Sequence, residues 1–94
     1  MIMKRPTVTL HQAETLEAIR IIVESRAKVY WEAEVETIVD FNELYVQAKF
    51  TLHKAGWIIA HRFFLKEFGM LVDMKAALNF QVDKLIKQLE ERSR

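Results

Sequence analysis

The sequence predicts a single α+β domain, residues 1–94, of order β-α-β-β-β-α, with a four-stranded mixed sheet and two helices on one face. Three observations support this prediction. Apolar residues recur at helical spacing over residues 15–30 and again over residues 73–89. Between these segments, apolar and polar residues alternate over residues 29–41 and 44–53, which is typical of strands with one buried face. A short β-prone run at residues 7–10 predicts a further strand before the first helix.

The first helix is expected to begin at Thr15, because acidic residues fill its first turn, where the helix dipole favours negative charge. Two pairs of opposite charge, Glu17 with Arg20 and Glu24 with Lys28, stand at spacings of three and four residues, at which helical side chains meet. The buried side of this helix is expected to consist of Leu16, Ile19, Ile22, Val23, Ala27 and Tyr30.

Two turns set the expected register of the three later strands. If Phe41 pairs with Leu44 and His53 with Trp57, the apolar side chains of all three strands meet on one face, and the third strand runs over residues 57–65. The buried rows are then Ala33 with Leu52 and Ile58, Val35 with Phe50 and Ala60, and Val39 with Val46 and Phe64. The outer rows are Glu32 with His53 and Trp57, Glu34 with Thr51 and Ile59, Glu36 with Lys49 and His61, and Ile38 with Gln47 and Phe63.

The last helix is the most clearly patterned element of the chain. Asp73 can cap its N-terminus by accepting hydrogen bonds from the first free backbone N–H groups. Its apolar stripe consists of Met74, Ala77, Leu78, Val82, Leu85, Ile86 and Leu89. If the two helices lie side by side, their basic residues share the solvent side, which suits phosphate groups. Glu17, Glu24 and Asp83 stand among these basic residues, so on spacing alone a solvated surface of mixed charge explains the pattern as well as a phosphate-binding surface does.

The amino-acid sequence of the last helix resembles that of the bacterial ribosome hibernation-promoting factors, a family that includes the ribosome-associated inhibitor A type. The matching residues of the helix are Asp73, Met74, Ala76, Ala77, Leu78, Asp83, Lys84, Leu85, Gln88 and Leu89. Upstream, Gly56, Ile58 and Ala60 resemble the strand that comes before this helix in the family. The chain departs from the family pattern in several extra residues between Ala60 and Asp73, in a tighter first hairpin, and in Phe80 at an outward helix position that the family gives to a polar residue.

The resemblance implies a translation-inhibiting factor that binds ribosomal RNA of the small subunit. Proteins of the family bind the decoding region and block messenger and transfer RNA while the cell is not growing. At the matching positions, the resemblance implicates Lys84 most directly in RNA binding. Lys87 and the basic residues of the first helix follow as looser expectations. The RNA-binding set predicted for this chain is Arg20, Arg26, Lys28, Lys75, Lys84 and Lys87.

A second hypothesis assigns the chain to the protein-interaction modules. The expected register leaves an apolar patch on the outer sheet face, and exposed apolar patches often mark protein interfaces. Such a patch can be buried in a homodimer or against a protein partner. Its members are expected to be Ile38, Tyr45, Trp57, Ile59 and Phe63.

Composition argues against several other classes of protein. The chain has no cysteine, so disulfides and thiolate sites are excluded, and its two glycines are isolated rather than part of a phosphate-binding loop. The histidines lack metal-ligand spacing, and no serine or threonine stands in a nucleophile motif. We therefore expect a cytoplasmic protein without enzymatic activity, cofactor, metal, small-molecule substrate or membrane partner.

Charge is unevenly distributed along the chain. The net charge is only +1, yet residues 32–53 contain five acidic residues and one basic residue, whereas both flanks are basic. The sequence therefore predicts a domain with one negative and one positive side.

Overall fold

The computed structural model describes residues 8–53 and 56–92. Its elements are α1 (Leu10–Ala27), β1 (Ala33–Asp40), β2 (Tyr45–Leu52), β3 (Ile58–Phe64), α2 (Leu65–Phe68) and α3 (Met74–Arg92). The strands form an antiparallel sheet of order β1-β2-β3, and the apolar sides of α1 and α3 pack on the same face of it. The α+β class is confirmed. The four-stranded mixed sheet is wrong, because the described residues form three strands.

The predicted first strand is replaced by the start of α1. Thr7 lies outside the described residues, and α1 begins at Leu10 rather than at Thr15. Thr9 accepts a hydrogen bond from the backbone N–H of Gln12 at 3.1 Å, while the Gln12 side chain accepts one from the backbone N–H of Thr9 at 3.0 Å. This capping box satisfies two N–H groups that a helix end otherwise leaves free, so the segment begins a helix despite its β-prone residues.

The register of β1 and β2 is confirmed. Ala33 pairs with Leu52 and Val39 with Val46, as the alternation predicts. The apolar members of β2 are almost completely buried beneath the helices. Because apolar and polar residues alternate strongly in both strands, only one register buries the apolar side chains of both. A shift of one residue would turn the apolar side chains of one strand to the solvent.

A side-chain carboxylate organises the turn between β1 and β2. Asp40 accepts hydrogen bonds from the backbone N–H groups of Asn42 and Glu43, both at 2.8 Å, and these bonds lower the pKa of the Asp40 carboxyl group. Leu44 then adopts a φ of 59°, a left-handed conformation that is unfavourable for a residue with a Cβ atom. Its carbonyl accepts a hydrogen bond from the backbone N–H of Leu65 at 2.9 Å, which ties the turn to α2.

The register of β3 differs from the prediction by one residue. Gly56, at a φ of 65°, donates its backbone N–H to the carbonyl of Leu52 at 3.0 Å. Leu52 in turn donates to the carbonyl of Trp57 at 3.0 Å, so Trp57 lies opposite Leu52 and not opposite His53. The loop is one residue longer than the predicted turn, and this shift turns each side chain of β3 to the other face.

The predicted rows that include β3 are therefore wrong. In the observed pairing, Val46 lies opposite Phe63 and Phe50 opposite Ile59. The side chains that turn toward the helices are Ile59, His61 and Phe63, and those that turn outward are Ile58, Ala60, Arg62 and Phe64.

The core lies between the sheet and the two long helices. Its fully buried larger side chains are Leu16, Ile19, Val23, Val46, Phe50, Phe63, Leu78, Val82, Ile86 and Leu89. The predicted stripe of the last helix is confirmed in its central members, and Asp73 accepts a hydrogen bond from the backbone N–H of Ala76 at 3.1 Å, as expected of an N-cap. The outward side of α3 is thereby fixed.

Candidate nucleic-acid interface

A hydrogen-bonded group joins α1 to α3. Arg26 donates from Nε and Nη2 to the two carboxylate oxygens of Asp83, each at 2.8 Å, and Tyr30 donates its hydroxyl to Asp83 Oδ1 at 2.6 Å. The two Arg26 hydrogen bonds lower the pKa of Asp83, and the bond to Asp83 raises the pKa of Tyr30. Arg26, one of the predicted RNA-binding residues, is therefore engaged within the domain. We call these three residues the helix joint.

Arg20 is likewise engaged within the domain, on the side of α1 that faces β1. Its guanidinium group contacts Glu17, as predicted, and also donates to Glu24 at 2.7 Å. Glu24 additionally accepts a hydrogen bond from the Thr37 hydroxyl of β1 at 2.7 Å. The predicted Glu24 and Lys28 pair does not form, because Glu24 is directed to these partners instead. The hydrogen bond to Glu17 is the main cause of a raised pKa at Arg20.

The four lysines of the predicted set are exposed, and the described part of the chain offers none of them an ion pair: Lys28, Lys75, Lys84 and Lys87. They do not form one surface. Lys75 and Lys84 are nine residues apart, about two and a half helical turns, and therefore lie on opposite sides of α3. Lys75 lines the groove between α1 and α3 together with Ile22 and Asn79.

The outward side of α3 places two of these lysines beside an aromatic ring. Phe80, Lys84 and Lys87 all lie opposite the buried stripe, and we call these three residues the α3 basic face. Lys84 follows Phe80 by four residues and Lys87 follows Lys84 by three, spacings that make helical side chains neighbours. Asp83 stands four residues before Lys87 but is bound to Arg26 and Tyr30, and the acids that follow Lys87, Glu90 and Glu91, stand three and four residues beyond it. The α3 basic face therefore presents two ammonium groups, beside an exposed ring, that have no ion pair among the described residues.

The apolar patch predicted on the outer sheet face has different members in the structure, where Ile58 and Phe64 turn outward. Phe63 is fully buried and Ile59 turns inward, because of the one-residue shift of β3. Tyr45 is only 8% exposed, since Arg62 lies over its ring at 4.6 Å from the centroid. Ile38 and Trp57 remain exposed. Of the five predicted interface residues, only these two are available to a partner.

The acid and base residues of the sheet pair in ordinary ways. Lys49 forms an ion pair with Glu36 at 3.4 Å, as the predicted outer row requires, and His53 lies 3.6 Å from Glu34. His61 was expected beside Lys49 but faces the helices, where burial lowers its pKa against the opposing effect of Glu67. Within the ranges 8–53 and 56–92, no group of three or more His, Cys, Asp or Glu side chains is placed to hold a metal ion.

A cavity of about 450 Å³ opens at the end of the sheet beside α2. Its walls include Leu44, Phe64, Leu65 and Met70, together with Gly69 at the end of α2. Sequence reasoning gave no indication of this cavity, since residues 64–72 have neither a clear strand pattern nor a clear helical one. The cavity is lined both by Leu44, the turn residue with a positive φ, and by residues of α2.

Gly69 is required for the close approach at the end of α2. A Cβ atom there would lie 2.7 Å from the Leu65 carbonyl oxygen and 2.8 Å from Leu65 Cδ1, and the backbone oxygen cannot easily move away. We expect Gly69→Ala to lower the free energy of unfolding by about 1–3 kcal/mol, measured by urea denaturation. Gly56→Ala is the comparison, because its Cβ would meet no atom within 4 Å and its cost of about 1 kcal/mol would come from the positive φ alone. Wild-type stability of Gly69→Ala would contradict the observed α2 geometry.

Comparison of the chain with models of protein families, with curated proteins and with solved structures finds no match in any of the three. The resemblance to the hibernation-promoting factors therefore remains a prediction. Among the described residues, no helix combines the length and the apolar character needed to cross a membrane.

Proposed function

We propose that this chain is a non-enzymatic RNA-binding factor that associates with the small ribosomal subunit through the α3 basic face. The observation that supports the proposal is the pair of exposed lysines, Lys84 and Lys87, which have no ion pair in the described structure and lie side by side on the outward side of α3. Lysine ammonium groups bind phosphates as point charges. Lys84 is also a residue that matches the family pattern.

The proposed surface is smaller than the one expected from the sequence. Arg20 and Arg26 are held by acids of the domain itself, so they contribute to stability and shape rather than to phosphate binding. Lys75 and Lys28 lie elsewhere on the domain and are at most secondary contacts. The protein-interaction alternative loses two of its five predicted residues, because Phe63 and Ile59 do not lie on the outer face of the sheet, where Ile58 and Phe64 lie instead.

The test is sedimentation of the protein with purified small ribosomal subunits at low and moderate salt. We expect the wild-type protein to pellet with the subunits at low salt and to be released as salt rises, since phosphate contacts release counterions. The double variant Lys84→Glu, Lys87→Glu should remain in the supernatant at both salt concentrations. Its matched control is Lys49→Glu, Lys66→Glu, which changes the net charge equally at sites outside α3 and should still pellet.

Two results would contradict this proposal. Failure of the wild-type protein to pellet at low salt would exclude the small subunit as partner. Equal release of both double variants would mean that overall charge, and not the α3 basic face, governs the association.

A further inference from the structure

Phe80 occupies its position without benefit to the fold. The large apolar residues that α3 buries are Leu78, Val82, Leu85, Ile86 and Leu89, all on the opposite side of the helix. Phe80 is 69% exposed. Phenylalanine is also a poorer helix former than the lysine or glutamate typical of such positions. Neither packing nor helix propensity therefore explains an aromatic ring here.

The surroundings of the ring leave it accessible. Side chains on a helix lean toward its N-terminus, so Phe80 lies over the turn that contains Ala76 and Ala77. Methyl groups are too small to cover the ring. Asp83, the neighbour one turn further on, is directed to Arg26 in the helix joint. The remaining neighbour of Phe80 at helical spacing is Lys84, whose charge complements a phosphate beside the ring.

We propose that an unpaired RNA base stacks on Phe80 while Lys84 and Lys87 bind the phosphates that flank it. This inference rests on the proposed function and specifies its ligand as RNA with an unpaired nucleotide, a bulge or a loop. Bases stack on aromatic side chains largely independently of their identity, and they are available for stacking only where they are not enclosed in a duplex. The same face therefore distinguishes unpaired from paired RNA.

Charge argues against a second copy of this chain as the occupant. In a two-fold dimer the same patch is buried on both subunits, so burying the α3 basic face would place Lys84 and Lys87 of both protomers, four lysines in all, in one interface. Like charges in that arrangement repel. A polyanion satisfies both the apolar ring and the two ammonium groups.

The experiment measures fluorescence anisotropy with two labelled RNA hairpins, one fully paired and one with a single-nucleotide bulge added to the same stem. The wild-type protein should bind the bulged hairpin more tightly. Phe80→Leu keeps an apolar side chain but removes the aromatic ring, and it should weaken binding to the bulged hairpin by about five- to a hundredfold while leaving the paired hairpin unaffected. Phe80→Trp should restore the preference.

A lysine variant separates this inference from the proposed function. Lys84→Gln, Lys87→Gln should weaken binding of both hairpins and reduce the slope of log affinity against log salt by about 1.4–1.8. If Phe80→Leu binds the bulged hairpin as the wild type does, stacking is overturned while phosphate binding stands. If the wild type binds neither hairpin, stacking on an unpaired base is overturned, and sedimentation with small subunits decides the proposed function separately. If Phe80→Leu instead abolishes a concentration-dependent dimer seen by sedimentation, Phe80 is a protein contact and stacking is overturned.

Discussion

Phe63→Ala is expected to lower the free energy of unfolding by about 3–5 kcal/mol, whereas Phe64→Ala should cost about 1 kcal/mol. Phe63 is fully buried against the helices, and its removal leaves a cavity in the core. Phe64 turns outward and packs edge-on to Tyr45 at 5.4 Å between ring centroids, with Lys66 over its own ring. A domain of this size is typically stable by about 5–14 kcal/mol, so the first change removes a large part of the total.

Urea denaturation of the two variants measures this difference and decides the register of β3. The two substitutions delete the same atoms at adjacent positions, so each is the control for the other. The register predicted from the sequence, with Phe64 in the buried row, requires the opposite order of stability. Equal losses from both variants would contradict the face assignment of β3.

Asp83→Asn is expected to lower the free energy of unfolding at pH 7 by about 1–2 kcal/mol. Hydrogen bonds to charged groups contribute about 1.5–3 kcal/mol, and screening reduces this value because the side chains of Arg26 and Asp83 are about one third exposed. Glu91→Gln removes an exposed carboxylate from the same helix and is the charge-matched control. It should leave the free energy of unfolding unchanged, and an equal loss in both variants would contradict a specific role for the helix joint.

The pH dependence of stability gives a second measure of the helix joint. Arg26 lowers the pKa of Asp83 from the usual value of 3.8, so its contribution is present above pH 3.8 and is lost as the pH falls through the lower, folded-state pKa. The hydrogen bond to Asp83 raises the pKa of Tyr30 above 10.0, so that contribution is present below pH 10 and is lost as the pH rises through the folded-state pKa. Asp83→Asn should flatten both limbs, and a curve parallel to that of the wild type would contradict this account.

The fold was predictable where short-range patterns agreed with one another. Alternation on both strands and a carboxylate-held turn left one register for β1 and β2, and the stripe of α3 together with Asp73 marked the last helix. The start of α1 was also signalled, since Thr9 and Gln12 stand at the spacing of a capping box. The β-prone run concealed that signal.

The register of β3 and the candidate site were less predictable, for different physical reasons. The apolar residues of β3 occur on both faces, so its pattern does not penalise a shift of one residue. The loop that sets the register contains one residue more than the predicted turn. The joining of Arg26 to Asp83 spans 57 positions of sequence and has no local signature. Charge spacing alone therefore overestimated the number of basic residues that have no ion pair within the described structure.

The placement of the acidic strand has a consequence for how the domain would approach a polyanion. The outward side of β1 carries Glu34 and Glu36, and β1 lies under α1 at one edge of the described sheet, whereas α3 packs toward β2 and β3. Opposite charge on opposite flanks makes the domain an electric dipole. The electric field of a polyanion would orient such a domain before the two molecules make contact, with β1 directed away from the polyanion and α3 directed toward it. Dissolved salt would then slow the encounter itself, because it screens the torque that orients the approaching molecule.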